Sequence, residues 1–280
     1  MYLKTKKKKF NLKSSPLVVG ILNLTPDSFY DGSKYITKYK MLKRVEEMIN
    51  EGADIIDIGA ESTRPNSKRI SIKEESDRIL NNIKLIRKNF NIPISIDTMK
   101  SKIADSCLNE GADIINDVTS YQFDEEMPLT IAKHKAAVIL NHTSDLPDKM
   151  QSKTKYKNLI IDVKNHLKKQ VQRSINLGVS SKSIIIDPGI GFGKTTKQNL
   201  ILIKNAKEFL KLKLPLMYGT SNKSFIGDIL KIKDPKKRVN GSIVTALFCL
   251  NYGANLLRVH NVRETYEMIK IWKELGNVRN

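Results

Sequence analysis

Short runs of apolar residues recur along the chain, and each run ends near a polar residue. The runs are largely continuous in apolar residues, as expected for strands that are buried on both faces of a parallel sheet. The segments between runs are long enough for the crossover helices that parallel strands require. The pattern therefore predicts eight strands, at Leu17–Leu22, Asp54–Ile58, Pro93–Ile96, Asp113–Asn116, Ala136–Leu140, Ser183–Ile186, Pro215–Tyr218 and Asn255–Val259.

An internal repeat indicates the same unit of helix, tight turn and strand. Residues Glu51–Asp57 read EGADIID, Glu110–Asn116 read EGADIIN, and Tyr252–Arg258 read YGANLLR. In each copy we expect a helix to end, the glycine to take the left-handed C-cap conformation, and a strand to follow. Eight such units close a TIM (β/α)8 barrel, so we predict a single-domain α/β TIM barrel. A doubly wound open sheet is the structural alternative.

The length and composition agree with one barrel and no membrane span. Residues 1–15 are rich in lysine, and we expect a basic, flexible tail before a barrel domain at residues 16–280. The longest apolar stretches fall short of the ~18 residues that cross a bilayer, and no secretory signal follows the basic start. Cys107 and Cys249 have no partner at metal-ligand spacing, so we expect buried thiols in a cytoplasmic protein.

The formal net charge of +20 raises the alternative of nucleic-acid binding. Lysines are spread along the chain, however, and aromatic residues make up only 6%, so base-stacking platforms are scarce. We therefore interpret the lysines as solvated side chains and expect no specific nucleic-acid partner. A moonlighting nucleic-acid binder would reveal itself by affinity that falls steeply with salt and by a lack of turnover.

Polar residues stand at or just beyond the ends of the predicted strands. Taken singly, each such residue is more often a helix cap or a turn residue. In a barrel, however, the carboxyl ends of the strands form one rim that carries the active site. The sequence thus predicts a polar pocket for a small, partly anionic molecule, built from Asn23, Asp57, Glu61–Arg64, Asp97, Asn116, Asn141, His142, Asp187, Ser221–Ser224, Arg258 and His260.

The segment Asp187–Thr195, DPGIGFGKT, invites two nucleotide-binding interpretations. A phosphate-binding P-loop needs glycine where Pro188 stands, and a dinucleotide fingerprint needs glycine where Lys194 stands. Both interpretations therefore fail. We expect instead a strand that ends at Asp187, followed by a backbone flexible enough to pass close to a planar ring.

Taken together, the motifs resemble those of the dihydropteroate synthases, a family of pterin-binding TIM-barrel enzymes. The two most specific motifs are Gly20–Phe29, GILNLTPDSF, and Asp57–Pro65, DIGAESTRP. The resemblance extends from Pro16 to the C-terminus. The other family motifs follow in order at Ser95–Thr98, Ile114–Asp117, Asp187–Lys194, Gly219–Gly227 and Arg258–His260.

The resemblance implies condensation of a pterin pyrophosphate with para-aminobenzoate in folate biosynthesis, by a homodimer that uses Mg²⁺. It implies a catalytic set of Asn23, Asp97, Lys223, Arg258 and His260. In this set Asn23 binds Mg²⁺, while Arg258 and His260 bind the pyrophosphate. The implied substrate-binding residues are Thr63, Arg64, Asp97, Asn116, Asp187, Lys223, Ser224, Arg258, His260, Phe29, Pro65 and Phe192. Among them Asp97, Asn116, Asp187 and Lys223 bind the pterin, and Ser224 binds the carboxylate of para-aminobenzoate beneath Phe29, Thr63, Arg64 and Pro65.

Two other functions remain open at this point: a pterin-binding methyltransferase and a homologue that binds a pterin without turnover. A methyltransferase should lack the Ser62–Pro65 loop and the Arg258–His260 pair. Two positions depart from the family pattern, because Asn141 stands where the family has methionine and Asn222 where it has arginine. With these two departures, the family pattern does not fix the shape of the pterin pocket.

Overall fold

The computed structural model describes residues 1–24, 34–61 and 69–277, without the side chains of residues 34–37. Eight parallel strands form one sheet: β3 (Leu17–Asn23), β4 (Ile55–Gly59), β5 (Ile94–Asp97), β6 (Ile114–Asp117), β7 (Ala137–Asn141), β8 (Ile184–Asp187), β9 (Met217–Tyr218) and β10 (Leu256–Val259). Their order in the sheet is β8-β7-β6-β5-β4-β3-β10-β9. A parallel bridge between Ile186 and Leu216 joins the two edges, so the predicted barrel is confirmed.

Helices follow the strands and surround the barrel, as the alternating pattern predicts. All eight predicted strands are present, and most begin and end about one residue later than expected. The register agrees with a continuous rim, because Asn23 pairs with Gly59 and Gly59 with Asp97. The helices are α1 (Lys34–Asn50), α2 (Ile72–Asn89), α3 (Ser101–Asn109), α4 (Met127–Lys133), α5 (Leu159–Asn176), α6 (Thr196–Lys204), α7 (Ala206–Leu210), α8 (Ser224–Leu230), α9 (Val239–Asn251) and α10 (Val262–Asn277).

The three repeat glycines end their helices in the same way. Their φ angles are +103° at Gly52, +100° at Gly111 and +106° at Gly253, a region that residues with a Cβ rarely adopt. In each copy the N–H of the following alanine donates to the carbonyl five residues earlier, at 2.9 to 3.0 Å. This bond is the one that closes a Schellman C-cap, so the predicted turn is confirmed.

The core has two layers, one inside the barrel and one between the strands and the helices. The interior layer is made by alternate strand residues near the strand starts, such as Val19, Ile139 and Leu256. The outer layer packs residues such as Ile58 and Ile96 against the buried faces of the helices. Both faces of each strand are therefore buried, which explains why the strand sequences are continuously apolar.

The N-terminal segment differs from the flexible tail that its composition predicts. Residues 1–12 form an antiparallel hairpin of β1 (Tyr2–Lys4) and β2 (Lys9–Asn11). Leu3 is 0% exposed, and it packs with Phe10 and Leu12 against residues at the starts of the barrel strands. The lysines face outward in alternation with these apolar residues. The abundance of lysine therefore makes the alternation of exposed and buried residues that is typical of a strand hard to recognise in the sequence. The prediction of a flexible tail is wrong for this hairpin.

Cys107 and Cys249 are both buried and unpaired, as predicted. Burial raises the pKa of both thiols, which therefore stay neutral. Within the described ranges, no helix is both long and apolar enough to cross a membrane.

Candidate active site

The predicted polar residues converge at the carboxyl end of the barrel. Asn23, Asp97 and Asp187 are the last residues of β3, β5 and β8. Asn116 and Arg258 lie within the last two residues of their strands, and His260 directly follows β10. The parallel sheet brings these strand ends to one rim, as the sequence pattern predicts.

Arg258 lies at the centre of a hydrogen-bond network across this rim. Its Nε donates to Oδ2 of Asp57 at 2.6 Å, and its Nη2 donates to Oδ2 of Asp97 at 2.7 Å. Asn116 donates to the same oxygen of Asp57 at 3.2 Å and accepts from Asn141 at 2.8 Å. The Oδ1 atoms of Asp57 and Asp97 are buried and have no hydrogen-bond partner in the described part of the chain. Burying an oxygen without a hydrogen bond costs free energy, and a ligand that supplies N–H donors would offset this cost.

Two of the rim carboxylates have strongly raised pKa values. Burial raises the pKa of Asp97 to about 7, with Arg258 opposing this shift and Asp57 adding to it. Burial also raises the pKa of Asp187 to about 6, against the hydrogen bond from the N–H of Gly189. The charges of Lys223 and Arg258 act on both carboxylates, so these four groups share one site.

Lys223 and Phe192 form a cationic and aromatic wall beside these acids. The ammonium of Lys223 lies 4.3 Å from the centre of the Phe192 ring. Burial lowers the pKa of Lys223 to about 8, and the nearby charge of Arg258 contributes to this shift. Gly191 allows this close approach, because a Cβ there would lie 3.2 Å from Cδ of the lysine.

The residues that follow β9 and β10 offer donors suited to an anion. His260 is held by Ser221, whose Oγ accepts from the backbone N–H at 3.2 Å and lies 3.1 Å from Nδ1 of the ring. Ser224 is exposed and is the first residue of α8, at the helix start that the sequence predicts. The guanidinium of Arg258 has five N–H donors, and its contacts with Asp57 and Asp97 use two of them.

Phe29, Thr63, Arg64 and Pro65 lie outside the described residues, so their predicted roles stay predictions. A buried network is present where the second predicted loop begins and ends. Lys100 donates to Glu61 at 2.6 Å, to Glu75 at 2.5 Å and to the carbonyl of Ile70 at 3.0 Å. Glu61 also accepts from the N–H of Ile70 at 3.1 Å. The sequence does not predict this network, because its ion pairs join residues 39 and 25 positions apart and no local pattern indicates them.

The two departures from the family pattern both take part in hydrogen bonds. Asn141 donates to Asn116 and so joins the network around Arg258. Asn222 adopts a left-handed conformation with φ +59°, which asparagine tolerates better than most residues. Its carbonyl accepts from Arg238 at 3.0 Å, so this arginine brings a cation to the turn.

The described residues contain no cluster of three or more His, Cys, Asp or Glu side chains that could hold a metal ion. Asn23 offers one amide oxygen at the rim. Gly59 leaves space beside it, because a Cβ at Gly59 would lie 3.8 Å from Oδ1 of Asn23. A single hard oxygen fits Mg²⁺, which is commonly held by one or two protein oxygens together with water and substrate phosphates.

Comparison with known proteins identifies the family. The model of the family described as "Pterin binding enzyme" matches residues 19–260. The dihydropteroate synthase of Synechocystis sp. is 41% identical over 254 residues, which cover 91% of this chain and 88% of that protein.

Two solved structures agree with this assignment. Xanthomonas albilineans dihydropteroate synthase with 4-aminobenzoic acid matches with a TM-score of 0.92 at 30% identity, and the match covers 99% of both chains. Thermus thermophilus dihydropteroate synthase in complex with 6HMPPP matches with a TM-score of 0.86 at 34% identity, covering 99% of this chain and 100% of that chain. The chain therefore belongs to the pterin-binding enzymes, within the dihydropteroate synthase family.

Proposed function

We propose that the rim of the barrel binds a pterin pyrophosphate and para-aminobenzoate and condenses them to dihydropteroate and pyrophosphate. The chain is accordingly a transferase of folate biosynthesis. The observation that carries the site assignment is the pair of buried, unpartnered Oδ1 atoms on Asp57 and Asp97 within the described part of the chain. A pterin edge is rich in N–H donors, so it supplies the bonds that these oxygens lack.

Asp97, Asn116 and Asp187 bind the pterin in this proposal, and Lys223 caps the ring system beside Phe192. Ionised carboxylates accept the pterin N–H groups, and charge-assisted bonds of this kind are stronger than neutral ones. The sequence places Asp57 in the polar pocket, but the family resemblance implies no substrate-binding role for it. We assign it a role because it holds both Arg258 and Asn116 in place.

Arg258 and His260 bind the pyrophosphate, and Asn23 supplies a protein oxygen for Mg²⁺. The bond from the pterin methylene to the pyrophosphate oxygen breaks, and its electron pair leaves with the pyrophosphate. The aniline nitrogen forms the new C–N bond and loses a proton to water. Arg258 and His260 lower the barrier by stabilising the charge that develops on the leaving group, and no side-chain nucleophile is required. Bound Mg²⁺ would add to this charge stabilisation.

Para-aminobenzoate binds next to the pyrophosphate site, with Ser224 at its carboxylate. Ser224 supports this role because it is exposed at the rim and directly follows Lys223. Phe29, Thr63, Arg64 and Pro65 complete this subsite in our proposal, on the resemblance of their motifs alone.

The protein acts as a homodimer in the cytoplasm in this proposal. Helix α9 carries the apolar side chains of Val244 and Phe248, which are 54% and 49% exposed, on its outer surface. Apolar side chains exposed on one helix face are typical of an interface between copies. Two buried, unpaired cysteines agree with a reducing compartment. Sedimentation analysis should find a dimer that Phe248→Glu converts to monomers, whereas a monomeric parent would contradict the assembly.

Calorimetric titration of pterin pyrophosphate and of the bare pterin tests the binding roles. Asp187→Asn should weaken both ligands roughly 10- to 100-fold, because a charged hydrogen bond contributes about 1.5–3 kcal/mol. Arg258→Lys should weaken the pyrophosphate form more than the bare pterin, because lysine lacks the forked donors.

Asp77→Asn and Arg263→Lys make the same exchanges at exposed positions outside the polar network and serve as matched controls. Unchanged pterin affinity in Asp187→Asn would contradict the assignment of the pterin to this site. Equal losses for both ligands in Arg258→Lys would contradict the assignment of Arg258 to the pyrophosphate.

A further inference from the structure

We propose that Lys194 is a positioning residue for pterin recognition, which fixes residues Pro188–Gly193, here named the glycine loop, onto the end of β7. This inference rests on the proposed function, because it concerns how the same pterin site is held in shape. It also gives a role to the Gly-Lys-Thr segment, whose pattern fails as a P-loop.

The side chain of Lys194 is buried, and its ammonium has three acceptors. Its Nζ donates to Nδ1 of His142 at 3.0 Å, to the carbonyl of His142 at 3.3 Å and to the carbonyl of Phe192 at 2.8 Å. The protonated side chain has three N–H donors, so in this form all of them are used. Burial lowers the pKa of His142 to about 2, so the imidazole stays neutral and accepts at Nδ1.

Three consecutive carbonyl oxygens of the glycine loop are held by side chains. Gln151 donates to the carbonyl of Gly191 at 2.6 Å, and Tyr156 donates to that of Gly193 at 3.0 Å. Lys194 holds the carbonyl of Phe192, between these two. Gln151 and Tyr156 both lie between β7 and α5, so this connection and Lys194 together restrain a backbone that glycine would otherwise leave free.

The glycine loop also packs without a gap against the residues that follow β7. A Cβ at Gly189 would overlap the carbonyl oxygen of His142, and a Cβ at Gly193 would overlap Oγ of Ser144. Lys194 is the hydrogen-bond donor at this contact, and burial lowers its pKa to about 7 while the charge of Asp187 opposes this shift. Its removal would leave two carbonyl oxygens and one ring nitrogen without their donor, and buried acceptors without donors are costly.

The restraint reaches two residues of the pterin site. The bond from Lys194 to the Phe192 carbonyl sets the backbone that aims the Phe192 ring at Lys223, 4.3 Å away. At the other end of the glycine loop, the N–H of Gly189 holds Oδ1 of Asp187 at 2.7 Å. Movement of the glycine loop would therefore displace a ring wall and loosen a carboxylate that the pterin needs.

The test compares Lys194→Met with Lys197→Met, the same exchange at an exposed lysine three residues along the chain. Calorimetry with the bare pterin and KM values for both substrates are the readouts. Lys194→Met should weaken pterin binding about 10-fold or more, in line with the loss of three hydrogen bonds from one buried donor group. The KM for para-aminobenzoate at saturating pterin pyrophosphate should stay within about 3-fold, because Ser224, the described residue assigned to that subsite, belongs to α8 and not to the glycine loop. Lys197→Met should match the parent.

A destabilised variant separates positioning from general loss of structure. Ile83→Ala opens a cavity at a fully buried helix position away from the rim and should lower Tm without changing pterin affinity. An equal loss of pterin affinity in Ile83→Ala would overturn the inference. Unchanged pterin affinity in Lys194→Met, or equal losses for both substrates, would also overturn it.

Two milder variants decide the matter if Lys194→Met does not fold. Gln151→Ala and Tyr156→Phe each remove one of the neighbouring restraints and should each weaken pterin binding about 3-fold, as expected for loss of one neutral hydrogen bond. Unchanged affinity in both would overturn the inference. Asp187→Asn, measured alongside, separates the two proposals: if it weakens pterin binding while the Lys194 variant does not, only the positioning role fails. If neither variant weakens binding, the pterin site itself is misassigned.

Discussion

At the scale of single residues, the site depends on acids that the protein interior favours in their neutral forms. Burial raises the pKa of Asp97 to about 7 and that of Asp187 to about 6, so both titrate within the range of ordinary assays. In the proposed site the ionised forms accept donors from the pterin. The energy that burial costs the ionised acids is offset when the ligand arrives, which makes the pocket selective for donor-rich edges.

We therefore predict that affinity for the bare pterin falls as the pH is lowered from 8 to 5.5. Over this window Asp97 and then Asp187 take up protons, which converts charged acceptors into neutral ones. The loss should be on the order of 10-fold for each carboxylate that is neutralised. Calorimetry across the range measures the slope, and Asp97→Asn should flatten its upper part. A constant affinity across the range would contradict the account.

The same raised pKa predicts how the stability of the folded chain depends on pH. A raised carboxyl pKa means that the folded chain holds the proton more tightly than the unfolded chain, so the contribution of Asp97 to stability is lost as the pH rises through about 7. Asparagine cannot ionise, and Arg258 keeps its bond to Asp57 at 2.6 Å. Asp97→Asn should thus have a Tm above the parent at pH 8, by about 3 °C if the gain is roughly 1 kcal/mol.

Thermal melts from pH 5 to pH 8 provide the measurement. The difference in Tm between Asp97→Asn and the parent should grow with pH. A variant that is less stable than the parent at pH 8 would show that the pairing of Asp97 with Arg258 outweighs the cost of its burial.

At the scale of elements, the repeated glycine turn connects helices to strands and so places the strand ends. Gly52 and Gly111 share the same conformation, with φ +103° and +100°, but differ in their surroundings. A Cβ at Gly111 would have ordinary room, 3.4 Å from Arg87, whereas one at Gly52 would lie 2.5 Å from the ring of Tyr266. Alanine substitutions at these two glycines therefore allow the cost of backbone strain to be distinguished from the cost of steric overlap.

We predict that Gly111→Ala lowers the free energy of unfolding by about 1–2 kcal/mol, the cost of a left-handed residue. Gly52→Ala should cost more, because the ring of Tyr266 must also move. Urea unfolding of both variants checks this order. When Gly52→Ala is added to a Tyr266→Ala variant, the further loss of unfolding free energy should fall toward that of Gly111→Ala. Equal costs for the two single variants would contradict the steric explanation.

At the scale of the whole molecule, the hairpin and the active site occupy opposite ends of the barrel. The hairpin packs on the strand starts, while the polar network lies at the strand ends. Leu3→Ala should lower the free energy of unfolding by about 2–5 kcal/mol, because it opens a cavity under the hairpin.

Turnover per folded molecule should stay at the parent value in Leu3→Ala, since the hairpin lies at the end of the barrel away from the site. Lys4→Ala, the neighbouring exposed position, is the matched control and should leave stability unchanged. Unchanged stability in Leu3→Ala would mean that the hairpin does not support the barrel.

The parts of the molecule that the sequence predicts are those specified by local patterns. Buried parallel strands are apolar except for a few polar residues, so the sequence predicts all eight, and it predicts Asp97 and Asp187 at the rim because they end such strands. The bond from Arg258 to Asp57 joins residues 201 positions apart, and no local pattern reports it. Leu3 was missed because lysines dominate its segment, and Lys194 because its restraint depends on the packing of two connections.

The most direct test of the central claim is a measurement of products from the purified chain with pterin pyrophosphate, para-aminobenzoate and Mg²⁺. We predict that dihydropteroate and pyrophosphate form in equal amounts, and that pyrophosphate release falls sharply when para-aminobenzoate is omitted. Asp187→Asn should reduce this turnover by roughly 10-fold or more at subsaturating pterin pyrophosphate. A folded parent protein that binds the pterin but forms no dihydropteroate would contradict the proposed function.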